Sequence, residues 1–333
     1  MFCNSAKRKE NNMNTQPVLL KPAFKDYLWG GTRLRTEYGK DCGLDRIAES
    51  WELSAHKDGQ SVVASGDLSG KTLTDYIDAC GKEILGSRGT AFEKFPILIK
   101  FIDAKQKLSV QVHPDDEYAL ANEGEYGKTE VWYVLSADEG AALYYGFNRK
   151  ITKDELLARI SDNTVEDVLN RVEAKPGDVF FIKPGTVHAI GEGLLICEIQ
   201  QNSNTTYRVY DYNRRGADGK LRDLHIDKAA AVADYNPSAS ADSSGETIAH
   251  DGYTSRTIAQ CKYFTTERIE VSSSAKLPVD NESFRSVIIT DGKAELTVSD
   301  TTLSVKSGDS VFVPAQDGTI DINGSCGILL SYV

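Results

Sequence analysis

The sequence predicts an all-β-dominated fold, a larger β barrel with short helical insertions followed by a smaller C-terminal β domain. Three observations carry this. Short β-branched and aromatic runs bounded by Gly, Asp, Asn and Pro recur along nearly the whole chain, at 96–102, 108–113, 130–135, 179–183, 194–200 and 207–211. Helical periodicity is confined mainly to 71–85 and 152–172, the second opening on Thr152 and Glu155 at capping-box spacing. Finally, Pro176-Gly177-Asp178-Val179-Phe180-Phe181-Ile182 is echoed by Ser307-Gly308-Asp309-Ser310-Val311-Phe312-Val313, each followed within two residues by proline. The long offset suits two successive barrels better than a solenoid, although Gly-Asp before an apolar strand is also common turn chemistry.

Taken in order, residues 1–14 are polar and patternless and read as a flexible extension. Residues 15–235 form the first domain, with its helical insertion near 152–172. The small, polar, apolar-poor stretch 236–250 reads as a linker. Residues 251–333 form the C-terminal β domain, where strands are expected at 284–289, 294–298 and 309–313. No His occurs after His250, and the place that His188 takes after Gly177 is taken after Gly308 by Thr319. The C-terminal domain is therefore expected to bind no metal and to cover one side of the first.

Composition sets the bounds. With 333 residues, 40% hydrophobic and 26% charged, the chain reads as an ordinary globular protein. A net charge of -11 would repel a polyphosphate backbone, which argues against nucleic acid as a partner. No apolar run approaches the length needed to span a bilayer, so no membrane is expected. Six cysteines with no close pair read as free thiols of a reducing compartment, and a cytoplasmic protein is expected. The sequence carries no signal for oligomeric state.

Chemistry concentrates in four stretches. In Leu108-Ser109-Val110-Gln111-Val112-His113-Pro114, strict alternation puts Ser109, Gln111 and His113 on one face, where Gln and His can reach one metal; a solvent-facing strand would show the same pattern. The next strand sets Lys128, Glu130 and Trp132 on a common face, as an anionic ligand beside a cation or as a surface ion pair. Lys183-Pro184-Gly185-Thr186-Val187-His188 ends a strand in a turn and presents His188. Together Gln111, His113, Glu130 and His188 form a donor set that suits zinc or another divalent ion. Glu198 and Arg208 are isolated charges in apolar strands, either paired with each other or lining a cleft. Arg214, Arg215 and Arg222 form a basic cluster that could receive an anion or be spent on Asp211, Asp218 and Asp223. His56, His225 and His250 lack ligand spacing.

At these residues the sequence resembles the type I mannose-6-phosphate isomerases, in particular their short bacterial form with a cupin fold. The resemblance runs from Tyr27-Leu28-Trp29-Gly30-Gly31 and Glu49-Ser50-Trp51-Glu52-Leu53-Ser54, through Gln111-Val112-His113-Pro114 and Gly127-Lys128-Thr129-Glu130, to His225-Ile226-Asp227-Lys228. It implies a double-stranded β-helix barrel and one zinc per chain on Gln111, His113, Glu130 and His188. The substrate it implies is a small sugar phosphate. Lys128, Glu198 and Arg208 match the family's catalytic positions, while Ser109, Lys128 and Arg214 are the candidates for phosphate. The long family members carry a helical domain, and here only 152–172 fills that place. The implied chemistry is interconversion of mannose 6-phosphate and fructose 6-phosphate through an enediolate. Its proton is carried by Glu198 raised by burial or by Lys128 lowered by an adjacent metal. The competing class is a metal cupin that binds or senses a sugar phosphate without turning it over. A sensor would need only the metal ligands and the phosphate grip, whereas Lys128, Glu198 and Arg208 stand beside them here. An iron-dependent oxygenase fits less well because Gln111 would be an extra ligand.

Overall fold

The computed structural model describes residues 16–216, 219–238 and 245–333. The extension at 1–14 and residues 239–244 of the expected linker lie outside the described residues. Every strand expected in the first domain is present within a residue or two, and these strands fill two antiparallel sheets. One has the order Val179–Ile182, Glu130–Ala137, Leu194–Gln201, Ile97–Ala104, Glu49–Leu53 and Ala23–Lys25. The other has the order Leu169–Glu173, Ala142–Phe147, His188–Ala189, Val110–Val112 and Tyr207–Tyr210. Together they form the first barrel.

The three central strands of the six-stranded sheet are buried on both faces, and alternation decides what each face meets. Ile97, Ile99, Phe101, Val131, Tyr133, Cys197 and Ile199 pack outward into a core shared with Ile258, Phe284, Phe312 and Leu329 of the C-terminal half. Their neighbours in sequence point inward. Ile102, Trp132, Val134 and Ile196 line the barrel core. Lys100, Glu130 and Glu198 are buried on the same inner face. The register sets Glu198 opposite Lys100 on one side and opposite Trp132 on the other.

Two helical expectations need correction. The stretch 71–85 is an α-helix only over Leu73–Cys80, capped by Thr72, whose side chain accepts from the Asp75 N–H; Gly81 at φ 96 then breaks it into a 3-10 turn, Lys82–Leu85. In 152–172 the Thr152 cap forms as its spacing suggests, accepting from Glu155 N–H at 3.1 Å. The helix it opens covers only Lys153–Ser161, however. Asn163 at φ 58 ends it, and Leu169–Glu173 is a strand. The reason is parity: Leu169 and Val172 pack into different cores on opposite sides of that strand, whereas a spacing of three would put both on one face of a helix. Helices Asp116–Asn122 and Ile226–Val232 are short elements with no expectation in the sequence.

The C-terminal strands form a ten-stranded sheet that also takes in Val18–Lys21, paired with Ser310–Val313, and Val62–Val63 beyond it. Strand pairing therefore crosses the division of the chain at 236–250. The strands expected at 284–289 and 294–298 are one continuous strand, Arg285–Val298, with a bulge near Ile289.

The sequence echo is also an echo in three dimensions. Gly177 and Gly308 both sit at φ 90, which only glycine adopts without strain. The carboxylates of Asp178 and Asp309 accept from Lys175 N–H and Lys306 N–H at 2.7 and 2.9 Å. The N–H groups of Gly177 and Gly308 reach Val134 and Ile289 carbonyls, each at 2.8 Å. Strand register extends the correspondence to the four positions marked as ligands. Glu130 faces Ile182 as Arg285 faces Val313, and Gln111 faces His188 as Pro278 faces Thr319. Asp280, two residues beyond Pro278, takes the place of His113.

In the second barrel Arg285 and Asp280 are therefore joined directly, at 2.9 Å. The Arg285 guanidinium also donates to the carbonyl of Ser283 at 2.7 Å and stacks 4.4 Å over Tyr332. Truncating this buried arginine strands its carbonyl acceptors and loses the ring contact. Arg285→Ala should lower folding stability by about 1–3 kcal/mol, read as an earlier urea midpoint. An unchanged midpoint would show that the pair does not hold the second barrel together.

Candidate active site

His113 and His188 are brought together by the pairing of Val110–Val112 with His188–Ala189, and their rings lie 4.8 Å apart. His113 Nδ1 lies 3.0 Å from the Thr205 carbonyl and His188 Nδ1 lies 2.8 Å from the Thr186 carbonyl. A carbonyl only accepts, so each Nδ1 carries the proton and each Nε2 keeps its lone pair. Both Nε2 atoms are buried with no hydrogen-bond partner, and they lie 3.6 and 3.4 Å from the two carboxylate oxygens of Glu130. Burial, reinforced by the Lys128 charge, pushes His113 well below its ordinary value. Burial likewise takes His188 down to about 4, against the Thr186 hydrogen bond.

These observations test the implied metal against the residues present. Two neutral imidazoles with orphaned inward lone pairs, facing a fully buried carboxylate, are the donor chemistry of a zinc-type divalent ion. The Nδ1 carbonyl bonds are the outer supports such ligands need. His113, Glu130 and His188 are the cluster of this kind found among the described residues. Gln111 stands opposite His188 and lines the adjoining cavity.

That cavity, of about 270 Å³, opens beside the cluster. Of the residues expected from sequence, Ser109, Gln111, Lys128, Glu198 and Arg208 line it. Lys128 Nζ lies 2.8 Å from Glu130 and 3.6 Å from Glu198, and Lys100 Nζ lies 3.2 Å from Glu198. The indole of Trp132 donates to Glu198 at 3.1 Å. The result is an alternating row of buried charges, Lys100, Glu198, Lys128 and Glu130.

The row corrects two readings of the sequence. Glu198 does not pair with Arg208; its partners are the two lysines and the indole. Nor is its carboxyl raised. Burial lifts it, but Lys128, Lys100 and Trp132 outweigh burial and hold it well below the usual carboxylate range. Around Lys128, Glu130 and Glu198 overcome the burial that would discharge the ammonium and raise it above its ordinary value. Glu130 itself is lifted above the ordinary carboxylate range, by burial first and then by Glu198.

Arg208 is aimed by a local backbone lock. Its N–H donates to His225 Nδ1 at 3.1 Å, and His225 N–H returns to the Arg208 carbonyl at 2.8 Å. One guanidinium nitrogen reaches the Asp223 carbonyl at 2.7 Å, while the buried Nε has no partner. Arg214 falls outside this cavity and lines a neighbouring one. Sequence reasoning missed Lys100 and Glu49, both on the cavity wall, and placed Arg222, the third cavity-lining residue outside the expected set, only in the basic cluster around Arg214. Lys100 could have been found, because it is the single charge in the apolar run Ile97-Leu98-Ile99-Lys100-Phe101-Ile102.

Comparison with known proteins agrees with this geometry. The family model described as "Phosphomannose isomerase type I, catalytic domain" matches residues 18–140, and that described as "Mannose-6-phosphate isomerase, cupin domain" matches residues 254–333. The mannose-6-phosphate isomerase ManA of Bacillus subtilis is 38% identical over 96% of this chain and 100% of its own length. The mannose-6-phosphate isomerase of Streptococcus mutans is 37% identical over 95% of this chain and 98% of its own. The crystal structure of the mannose 6-phosphate isomerase from Bacillus subtilis matches with a TM-score of 0.88 at 37% identity, covering 95% of this chain and 99% of that one. Because the similarity runs from end to end of both partners rather than through one module, this chain belongs to the type I phosphomannose isomerase family.

Proposed function

We propose that the protein is a zinc-dependent aldose-ketose isomerase that interconverts mannose 6-phosphate and fructose 6-phosphate, with one zinc per chain. The observation that carries this reading is the pair of orphaned imidazole nitrogens facing Glu130, whose neighbour Lys128 lines a cavity together with Glu198 and Arg208. Its full-length relatives bear the name of that activity. The five described cysteines are free thiols, in keeping with a reducing cytoplasm.

Gln111, His113, Glu130 and His188 would hold the zinc, which supplies a Lewis acid for the oxygens at C1 and C2 of the sugar. Everything else falls to the chain's own side chains. The reaction moves one proton between C2 and C1 and builds negative charge on the enediolate between them. Arg208, fixed through His225, brings permanent positive charge to where that charge develops. Either Glu198 or Lys128 is the proton carrier. The two lie 3.6 Å apart, so that whichever of them carries the proton, the other is placed to hold a substrate oxygen. Ile102, Leu108 and Ile190 on the cavity wall keep water from the enediolate. The phosphate is remote from the reacting carbons, and its binding energy orients them; Ser109, on the cavity wall, is one hydrogen-bonding contact for it.

A coupled assay of mannose 6-phosphate conversion on metal-analysed protein tests the whole reading. Chelation should abolish turnover, and stoichiometric zinc should restore it. Full activity in protein shown by elemental analysis to be metal-free would refute it. The division of labour is tested separately. Arg208→Ala should lower kcat by about 10²-fold or more, because its charge acts on the transition state. Ser109→Ala should act mainly on KM, and equal loss of kcat in both variants would show that the two residues share one role.

A further inference from the structure

Resting on the isomerase reading, we propose that Arg222, and not Arg214, is the cation that receives the substrate phosphate, together with Arg208 and Ser109, and that Asp211 is its positioning residue. Three observations converge on this. The first is placement. Arg222, with Tyr27 and Trp29, is shared by the cavity that holds Arg208 and the neighbouring one of about 240 Å³, so it stands at their boundary. Arg214 lines only the neighbour.

The second is donor accounting. The buried carboxylate of Asp211 accepts from Arg222 Nε at 2.7 Å and from Nη2 at 2.6 Å. That uses one edge of the guanidinium fork and fixes its plane, and Nη1 makes no hydrogen bond among the described residues. Arg214 gives Nη2 to the same Asp211 at 2.5 Å and Nη1 to the Lys107 carbonyl at 2.7 Å, so both its terminal nitrogens are engaged.

The third is charge balance. At the other end of the cavity Lys100 and Lys128 are matched by Glu130 and Glu198. Here one carboxylate, Asp211, serves two arginines, and Arg208 has only a carbonyl acceptor and an unpartnered Nε. Arg208 is also held below its ordinary pKa, by burial and then by the nearby Arg222 charge, which marks the two guanidinium groups as neighbours. Even with the Asp223 charge near Arg208, three arginines here face two carboxylates, and surplus positive charge with free N–H donors is what a phosphate dianion binds. Ser109, buried on the same wall, adds a hydroxyl.

The test compares Arg222→Gln and Arg214→Gln in the zinc-loaded full chain, measuring KM and kcat for mannose 6-phosphate and calorimetric binding of inorganic phosphate at low ionic strength. Arg222→Gln should raise KM and weaken inorganic phosphate in parallel, each by about 10- to 100-fold, with kcat changed far less. Arg214→Gln should have a several-fold smaller effect on both. Asp211→Asn should fall between them, because the arginine stays but loses its brace. Arg222→Lys keeps the charge without the fork and should recover part of the phosphate affinity. This variant also answers for Arg222→Gln if the latter does not fold. Phosphate affinity in Arg222→Gln close to that of the unaltered protein, or a larger loss in Arg214→Gln, would overturn the proposal. A protein that binds inorganic phosphate through Arg222 yet does not isomerise mannose 6-phosphate would overturn the isomerase reading and leave this site standing.

Discussion

The structure depends on three sheet strands that are buried on both faces over most of their length. Along Ile97–Ala104, Leu194–Gln201 and the first five residues of Glu130–Ala137 each residue is buried on one side or the other, so parity alone decides whether a side chain belongs to the seam between the barrels or to the inner wall. A register slip of one residue would drive Lys100 and Glu198 into the apolar seam and turn Phe101 and Cys197 into the cavity. Burying a lone charge costs several kcal/mol, so that slip is strongly penalised, and the charged residues specify register as firmly as the apolar ones.

The same burial explains the electrostatics. Lys100, Glu198, Lys128 and Glu130 can be buried together only because their signs alternate, each charge answering the desolvation of the next. Such a row is held in place before any substrate arrives. The second barrel shows what happens where the metal set is absent. At the positions equivalent to His113 and Glu130 stand Asp280 and Arg285, which bond to each other without an intermediary. The two barrels share a turn, a register and a need to tie the same two strand positions, but they meet that need with different chemistry.

Much of this was legible in the sequence because strand periodicity is short-ranged. Alternation within 108–114 and 128–134 puts Gln111 with His113, and Glu130 with Lys128, on shared faces without knowledge of the partner strands. The Pro-Gly turn before His188 marks a strand end. What was not legible depends on pairing between distant segments. Nothing near Glu198 says that its partners lie at Lys100 and Lys128 rather than at Arg208, because the choice is made by strand register. Arg222 sits in an irregular loop, where no period says which arginine of the basic cluster takes Asp211 and still reaches the cavity. The overextended helix at 152–172 failed for a related reason, since apolar residues three apart serve either one face of a helix or two faces of a strand.

The pairing of Val18–Lys21 with Ser310–Val313 sets an order on the life of the chain. One edge of Val18–Lys21 can pair with Val62–Val63 early, but its other edge must wait for Ser310–Val313, almost three hundred residues further along. Only then can the ten-stranded sheet close across the two barrels. Contacts so far apart in sequence are slow to form, and an unpaired strand edge is an invitation to aggregate in the interval. Lys21, exposed at the end of that strand, is a charge of the kind that discourages such pairing. Closure of the sheet is thus a late event in folding, and the waiting edge is the part of the chain most exposed to mispairing until then.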